Sequence, residues 1–370
     1  MYVPDSILTN EDLAAIIDTS DEWIQSRTGI RERHIANDRE TTARLGLRAA
    51  QRALAVTDIL PQDIELIVVA TSTPEHIFPS TASLIQHWLG ASNAGAFDLS
   101  AACSGFVYGV DMAAQAIRSG SITTALVIGS ETMSRVLDWT DRSTCILFGD
   151  GAGAIVLQAR ETEGGVLSSV LKSDGSGYDL LAIPAMGNPD IRSNGALHDR
   201  RLHKMYMAGG EVFRFATRVV GESILQAVEK AGITLEDVKL IIPHQANERI
   251  IKASARSLNL SADVFVMNLD RYGNTSAASI PIALYEAVQQ GRVTQGDYIV
   301  FVGFGGGLTW ASMVVKWGIP VPEDRNINRL REQRRQAGYL FVRIQTAWRN
   351  LTRRLRAVLP GSGRDRADLP

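Results

Sequence analysis

Three polar residues stand out by type and setting. Cys103 lies where an apolar run gives way to a helix, in Phe97-Asp98-Leu99-Ser100-Ala101-Ala102-Cys103-Ser104-Gly105-Phe106. His244 follows Pro243 at the end of the apolar run Leu240-Ile241-Ile242, and Asn274 follows Gly273 in Gly273-Asn274-Thr275-Ser276. The thiolate is the nucleophilic form of cysteine, and a helix N-terminus favours it through unpaired N–H groups and the helix dipole. The backbone N–H of Cys103 can also point into an oxyanion hole. A neutral His can donate a hydrogen bond or carry a proton near pH 7, and an Asn amide beside it can hold an enolate oxygen. Together they point to acyl transfer through a thioester. Taken singly, Cys103 has a plainer reading as a buried thiol and Asn274 as a turn former, whereas a strand end directly after Pro243 is an awkward place for a merely structural His. Cys145, inside Ser143-Thr144-Cys145-Ile146-Leu147-Phe148, lacks the helix-start setting and reads as core.

The elements that must carry these residues alternate. Thr42 to Val56 places Leu45, Ala49 and Ala53 at helical spacing. Leu66-Ile67-Val68-Val69-Ala70 is continuously apolar, as a strand covered on both faces would be. An Ala-rich helix from Ser104 to Ser119 and strands at Ala125–Gly129 and Gly149–Leu157 follow. A constant offset of 174 relates Ile59–Val68 to Ile233–Ile242 and Ala125–Gly129 to Ile299–Gly303, and it sets Cys103 opposite Ala277. This reads as an internal duplication: an α/β chain with two mostly parallel sheets, each flanked by helices. Sites in such sheets gather at strand ends and helix starts, where the three residues fall. The predicted divisions are 1–165, 166–320 and a tail, 321–370. Gly303-Phe304-Gly305-Gly306-Gly307 lacks the features of a P-loop or dinucleotide fingerprint. It reads as a second source of oxyanion-hole amides, or as a tight turn between core strands.

With 370 residues, 45% hydrophobic and 21% charged, the chain has a globular make-up with length for two compact units. A formal charge of −2 makes no electrostatic case for nucleic acid. Two cysteines support neither a disulfide framework nor a four-thiolate metal site. No apolar run reaches the roughly 18 residues of a membrane span, and no signal peptide is read at Met1. A reducing cytoplasm is the expected setting. From Val321 to Pro370 there are 12 Arg and 5 acids, hence +7, which leaves −9 for the rest.

In these segments the chain resembles the β-ketoacyl-acyl carrier protein synthase III enzymes of the thiolase superfamily. The matching runs are Asp18–Ile24, Arg27–Arg33, the Cys103 segment, Phe148–Gly153, Pro243–Asn247, Gly273–Ser279 and Phe304–Gly307, in order over about the first 317 residues. The resemblance implies a duplicated, five-layered αβαβα fold and a homodimer. It implies that Cys103 takes an acyl group from acyl-CoA, while His244 and Asn274 hold the thioester carbonyl of malonyl-acyl carrier protein during decarboxylation. It gives the Cys103 and Gly306 amides as oxyanion hole. Thr19, Trp23, Arg27, Arg142, Phe213 and Asn247 become CoA- and substrate-binding residues. Phe78, reaching in from the partner chain, joins Met133, Leu147 and Phe148 as the acyl pocket. Gln245, Ala246, Asn247, Glu248 and Arg249, with Arg214 and Arg256, become the carrier-protein dock. No permanently bound cofactor is expected, only acyl-CoA and the phosphopantetheinyl carrier protein as substrates.

Three departures from that pattern matter. The strand that usually precedes the position of Tyr2-Val3-Pro4 is not read here, so either the start is misassigned or one sheet lacks an edge, and Gly210 and Glu248 replace the usual Asn and Leu. The third is the tail. Ala337, Leu340, Phe341, Ile344, Ala347, Trp348, Leu351, Leu355 and Val358 repeat at helical spacing, with Arg343, Arg349, Arg353 and Arg356 largely beside or opposite them. Such a basic amphipathic helix over 336–359 either lies on the inner membrane surface or docks on its own enzyme or a partner; Gly361–Pro370 is expected to be disordered. A papain-like hydrolase shares the order Cys, His, Asn but not the duplication or the Cys-Gly-Ser-Cys-Trp signature. A biosynthetic thiolase would need a second cysteine near the glycine run. A plant-type polyketide synthase would not need the dock. Two further alternatives remain: a starter-condensing enzyme of a specialised acyl or polyketide pathway, and a noncatalytic partner subunit.

Overall fold

A computed structural model describes residues 1–161, 163–185, 203–320 and 329–358; Gly361–Pro370, expected to be disordered, lie outside them. Strands β1 (Leu66–Ala70), β2 (Gly95–Leu99), β3 (Thr124–Thr132) and β4 (Asp150–Gln158) form one sheet in the order β2-β1-β3-β4. β1 runs parallel to β2 and β3, and β4 is antiparallel to β3. β5 (Gly165–Ser173), β6 (Val238–Pro243), β7 (Tyr298–Gly305) and β8 (Thr309–Lys316) form the second sheet, β6-β7-β8-β5. Here β6 and β7 are parallel but β7–β8 and β8–β5 are antiparallel, so this sheet is not the mostly parallel one expected. Strand ends differ from the sequence reading by a few residues, except β1, which the apolar run marks to the residue.

The helices that matter are α1 (Asp21–Thr28), α2 (Thr42–Ala55), α3 (Thr81–Leu89), α4 (Gly105–Arg118), α5 (Gly209–Lys230), α6 (Glu248–Ser257), α7 (Ser279–Gln289) and α8 (Arg329–Val358). α2 and α3 cover the outer face of the first sheet, α4 and α7 lie between the sheets, and α5 with α6 covers the second. Among the described residues three large apolar cores and one small one, around Tyr2, Leu45, Ala49 and Ala152, fill the gaps between these five layers. Ile67, Val69, Leu126 and Ile128 face the α2–α3 side, whereas Ala125 and Val127 join Phe106, Val110, Ile280, Ile299 and Phe301 in the middle. Strand alternation thus splits one run between two cores, which is why every residue of β3 is buried.

The duplication is visible in the backbone. One-turn helices at Pro61–Asp63 and Leu235–Asp237 differ by 174 positions, as do those at Ala102–Ser104 and Ser276–Ala278. Ala102 and Ser276, one offset apart, both take a positive φ, +46° and +49°, a region costly for non-glycine residues. Each opens a helix between the sheets. Among the described residues, only Tyr2 pairs at the outer edge of β4, exchanging two backbone hydrogen bonds with Ala152.

The tail docks on its own chain, but not by its apolar stripe. Arg335, almost fully buried, donates to the carbonyls of Leu54, Ala55 and Thr57 and so caps the C-terminus of α2. Tyr339 enters the core beside α2 and α3, and Thr346 meets the His87 ring at 2.9 Å.

Close approach of α7 depends on Gly129, where an added Cβ would collide with the Ala277 carbonyl. Gly129→Ala should therefore cost about 3 kcal/mol in a denaturant melt, while Gly120→Ala, with open space around it but a positive φ, should cost about 1–2 kcal/mol through backbone strain alone.

Candidate active site

Each of the three residues is placed by the end of a buried element. Cys103 sits in the one-turn helix before α4, and Gly305 packs against it: a Cβ there would lie 2.6 Å from the Cys103 nitrogen. Gly306 instead packs toward the Leu181 carbonyl. His244 continues β6, its N–H donating to Val302 of β7 at 2.7 Å, and its ring stands edge-on to Phe304, 5.2 Å between centroids. Asn274 is fixed by backbone bonds to Leu147 and Gly149, and its Oδ1 accepts from the Ser276 N–H at 2.9 Å. That leaves its Nδ2 hydrogens for the cleft. Cys103, His244 and Asn274 all line one narrow cleft with Leu147, Phe148, Phe213, Ala246, Asn247, Phe304 and Gly305.

Burial sets the charge states. The Cys103 thiol is pushed up to about 12 by desolvation, with a hydrogen bond to Ser276 opposing. Removal of the sulfur from water thus opposes the pull of the helix start and favours the thiol at rest. His244 is pushed down to about 3 by burial and stays neutral at physiological pH. Its Nδ1 meets the Ser279 hydroxyl at 2.7 Å. The one Ser279 hydroxyl hydrogen has two acceptors, Nδ1 and the Ser276 carbonyl at 2.9 Å; when it is donated to Nδ1, Nε2 carries the ring hydrogen.

Beneath the thiol runs a polar chain that the sequence reading missed. The Cys103 thiol donates to the Ser276 hydroxyl at 3.4 Å, and Ser276 donates to Glu131 at 2.9 Å. Glu131, wholly buried at the end of β3, also accepts from Thr71, the Ser72 N–H and Thr73. Burial raises its pKa and these donors oppose the rise. The available signal was a lone carboxylate two residues past the apolar run Ala125–Gly129, in a strand buried throughout, which demands partners.

The remaining predicted residues divide. Arg142 stacks over the Trp23 ring at 4.9 Å, and Arg249 over Phe213 at 5.2 Å. Asn247 caps α6 and donates to the Arg27 carbonyl at 3.0 Å, joining α1 to the cleft mouth. Thr19 is part-buried just before α1, and Arg214 pairs with Glu211 on the surface of α5. Arg256 is exposed on α6, where Glu248 is held by Lys252. Gln245 departs from the docking reading. Its side chain turns inward, donating to the Pro243 and Val266 carbonyls and accepting from the Asn268 N–H. It braces the segment and offers nothing to a docking protein. Leu147 and Phe148 line the cleft, Met133 is buried in the adjoining core, and Phe78 is 85% exposed and outside it. Among the described residues, no group of three His, Cys, Asp or Glu side chains could hold a metal ion.

Five layers, duplicated halves and a Cys–His–Asn cleft define a thiolase-like condensing enzyme. Two family models match: 3-oxoacyl-[acyl-carrier-protein] synthase III over residues 97–175 and its C-terminal part over 228–317. A curated relative from Desulfitobacterium hafniense strain Y51, β-ketoacyl-[acyl-carrier-protein] synthase III, is 52% identical over 316 residues, 85% of this chain and 95% of that one. One from Symbiobacterium thermophilum with the same description is 51% identical over 323 residues, 86% and 96%. The crystal structure of 3-oxoacyl-[acyl-carrier-protein] synthase III from Aquifex aeolicus is 46% identical, with a TM-score of 0.79 over 85% of this chain and 97% of that one. The priming β-ketosynthase of the R1128 polyketide pathway is 37% identical, with a TM-score of 0.79 over 87% and 94%. The chain belongs to the β-ketoacyl-[acyl-carrier-protein] synthase III family, an acyl-transferring condensing enzyme that initiates fatty-acid synthesis.

A thiol near 12 sets an expected pH profile. Between pH 6 and 9 the thiolate fraction grows about tenfold per unit, so the rate of Cys103 alkylation by iodoacetamide should climb throughout without a plateau. A plateau near pH 7 would mean a resting thiolate.

Proposed function

We propose that this enzyme condenses an acyl-CoA starter with malonyl-acyl carrier protein, releasing carbon dioxide and giving β-ketoacyl-acyl carrier protein. The observation that carries this is the convergence of Cys103, His244 and Asn274 on one cleft. In the first half-reaction the Cys103 sulfur attacks the thioester carbon. A sulfur–acyl bond forms, the bond to CoA sulfur breaks, and the thiol proton leaves on CoA. Ser276, oriented by Glu131, accepts the S–H hydrogen bond and points the sulfur while that proton departs. The Cys103 and Gly306 amides receive the oxyanion.

In the second half-reaction the malonyl carboxylate is lost and its bonding pair becomes an enolate. The Asn274 amide and the His244 Nε2–H hold the enolate oxygen. A neutral imidazole suits this task, because it donates a hydrogen bond without protonating the enolate, as an imidazolium would. The enolate carbon then attacks the acyl-Cys103 carbonyl, and the sulfur leaves and regains a proton.

Trp23 and Arg142 receive the CoA adenine, with Thr19, Arg27, Phe213 and Asn247 along its path. Arg249, Arg214 and Arg256 face an acidic carrier protein, with Ala246, Asn247 and Glu248 between them. A cytoplasmic homodimer fits the open edge of β2, where Phe97 is exposed, and the exposed Ile77 and Phe78. Phe78 of each protomer would complete the acyl pocket of its partner with Met133, Leu147 and Phe148. The likeness to a polyketide priming enzyme keeps a second reading, a starter enzyme of a specialised pathway.

Intact-protein mass after mixing with a panel of acyl-CoAs, then malonyl-acyl carrier protein, tests this and names the starter. Cys103→Ser should gain no acyl group. His244→Ala should be acylated but fail to decarboxylate. Ser276→Ala should acylate about tenfold more slowly, the loss of one charge-assisted hydrogen-bond chain. Equal loss of acylation in the Cys103 and His244 variants would break the assignment. Arg249→Glu should raise KM for the carrier protein roughly tenfold or more while leaving acylation by acyl-CoA unchanged.

A further inference from the structure

The tail helix carries two faces with different duties. Arg335, Tyr339, Val342 and Thr346, spaced four, three and four, form the docked face against α2 and α3. The large apolar side chains are elsewhere. Leu340, Phe341, Ile344, Trp348 and Leu351 are between 52% and 66% exposed. At 100° per residue they span an arc of about 100°, centred opposite the docked face. The enzyme thus uses the small and polar side of α8 to hold it and turns the apolar side outward. A contiguous apolar stripe presented this way marks a contact surface.

Charge says what the stripe meets. From Gln333 to Leu359 the sequence holds seven Arg and no acid. Of these, Arg334, Arg343, Arg349 and Arg353 are exposed around the helix. Two copies of α8 laid stripe to stripe would bring like charges together with no opposite charge to pair them, against the pattern of paired helices. An anionic surface matches them. Phe341 and Trp348 beside Leu340, Ile344 and Leu351, with arginines on the flanks, is the composition of a helix lying in the plane of a lipid interface. Among the described residues no helix is long and apolar enough to cross a membrane, so the contact is lateral. We propose that the outward stripe of α8 seats the enzyme on an anionic lipid surface, with the Arg335 cap on α2 as the link to the body. None of Cys103, His244 and Asn274 lies on α2, α3 or α8, so the seated enzyme keeps those elements, not its cleft, toward the lipid.

The test is flotation of the full chain with vesicles of phosphatidylcholine alone or mixed equally with phosphatidylglycerol. The chain should float with the mixed vesicles, roughly tenfold less with neutral ones, and progressively less as salt rises. The double variant Phe341→Ser, Trp348→Ser should lose roughly tenfold or more of the binding. Arg343→Gln with Arg349→Gln should weaken it while retaining the dependence on the stripe. Acyl transfer in vesicle-free solution should be unchanged in every variant, which shows the body intact and separates this result from the fate of the condensation reading. No flotation with either vesicle, or flotation indifferent to Phe341→Ser, Trp348→Ser, overturns the proposal. So does self-association in sedimentation that the stripe variant abolishes while vesicle binding is absent, since the stripe then belongs to a second copy.

Discussion

The architecture depends on two helix starts meeting between two sheets. α4 and α7 each begin at a turn with an unfavourable φ, at Ala102 and Ser276, and the duplication sets those turns face to face. The polar chain from Cys103 through Ser276 to Glu131 ties the turns to the first sheet. A buried carboxylate without partners is expensive, whereas one with several donors specifies a single arrangement of the groups that supply them. Glu131 draws its donors from the end of β1 and from the leading turn of α7, so the same bonds that satisfy it hold the halves in register around the sulfur.

Within the cleft the resting groups are neutral: a thiol held near 12, an imidazole held near 3, and an amide. The cations that could meet substrate phosphates or acidic partners stand at the rim, stacked on Trp23 and Phe213. Charge therefore develops inside only when bonds rearrange. In a dry, low-dielectric space, fixed dipoles aimed at that charge act strongly and need no reorganisation.

Much of this was legible in sequence because it is written locally. A continuous apolar run marked β1 to the residue, and Cys103, His244 and Asn274 announced themselves at element ends. The misses are long-range. Glu131 reaches Ser276 across 145 positions, and nothing near it in the chain says so. Helix-start chemistry suggests a thiolate at Cys103, but burial by distant segments opposes it. Gln245 sits in the right motif yet turns inward, because the carbonyls of Pro243 and Val266 and the N–H of Asn268 await it there. Periodicity found the apolar stripe of α8 and could not say which face docks, since that is decided by Arg335 meeting carbonyls about 280 positions earlier.

The depth of Cys103 has a consequence beyond acyl chemistry. Peroxide and other cellular oxidants attack thiolates that solvent can reach, and the first product, a sulfenic acid, leads on to irreversible damage. Between turnovers this sulfur is protonated and 6% exposed. The other cysteine, Cys145, is fully buried and lies outside the cleft. A buried, protonated thiol is a poor target for such oxidants, so the burial that readies this cleft for acyl chemistry also slows oxidation of its sulfur.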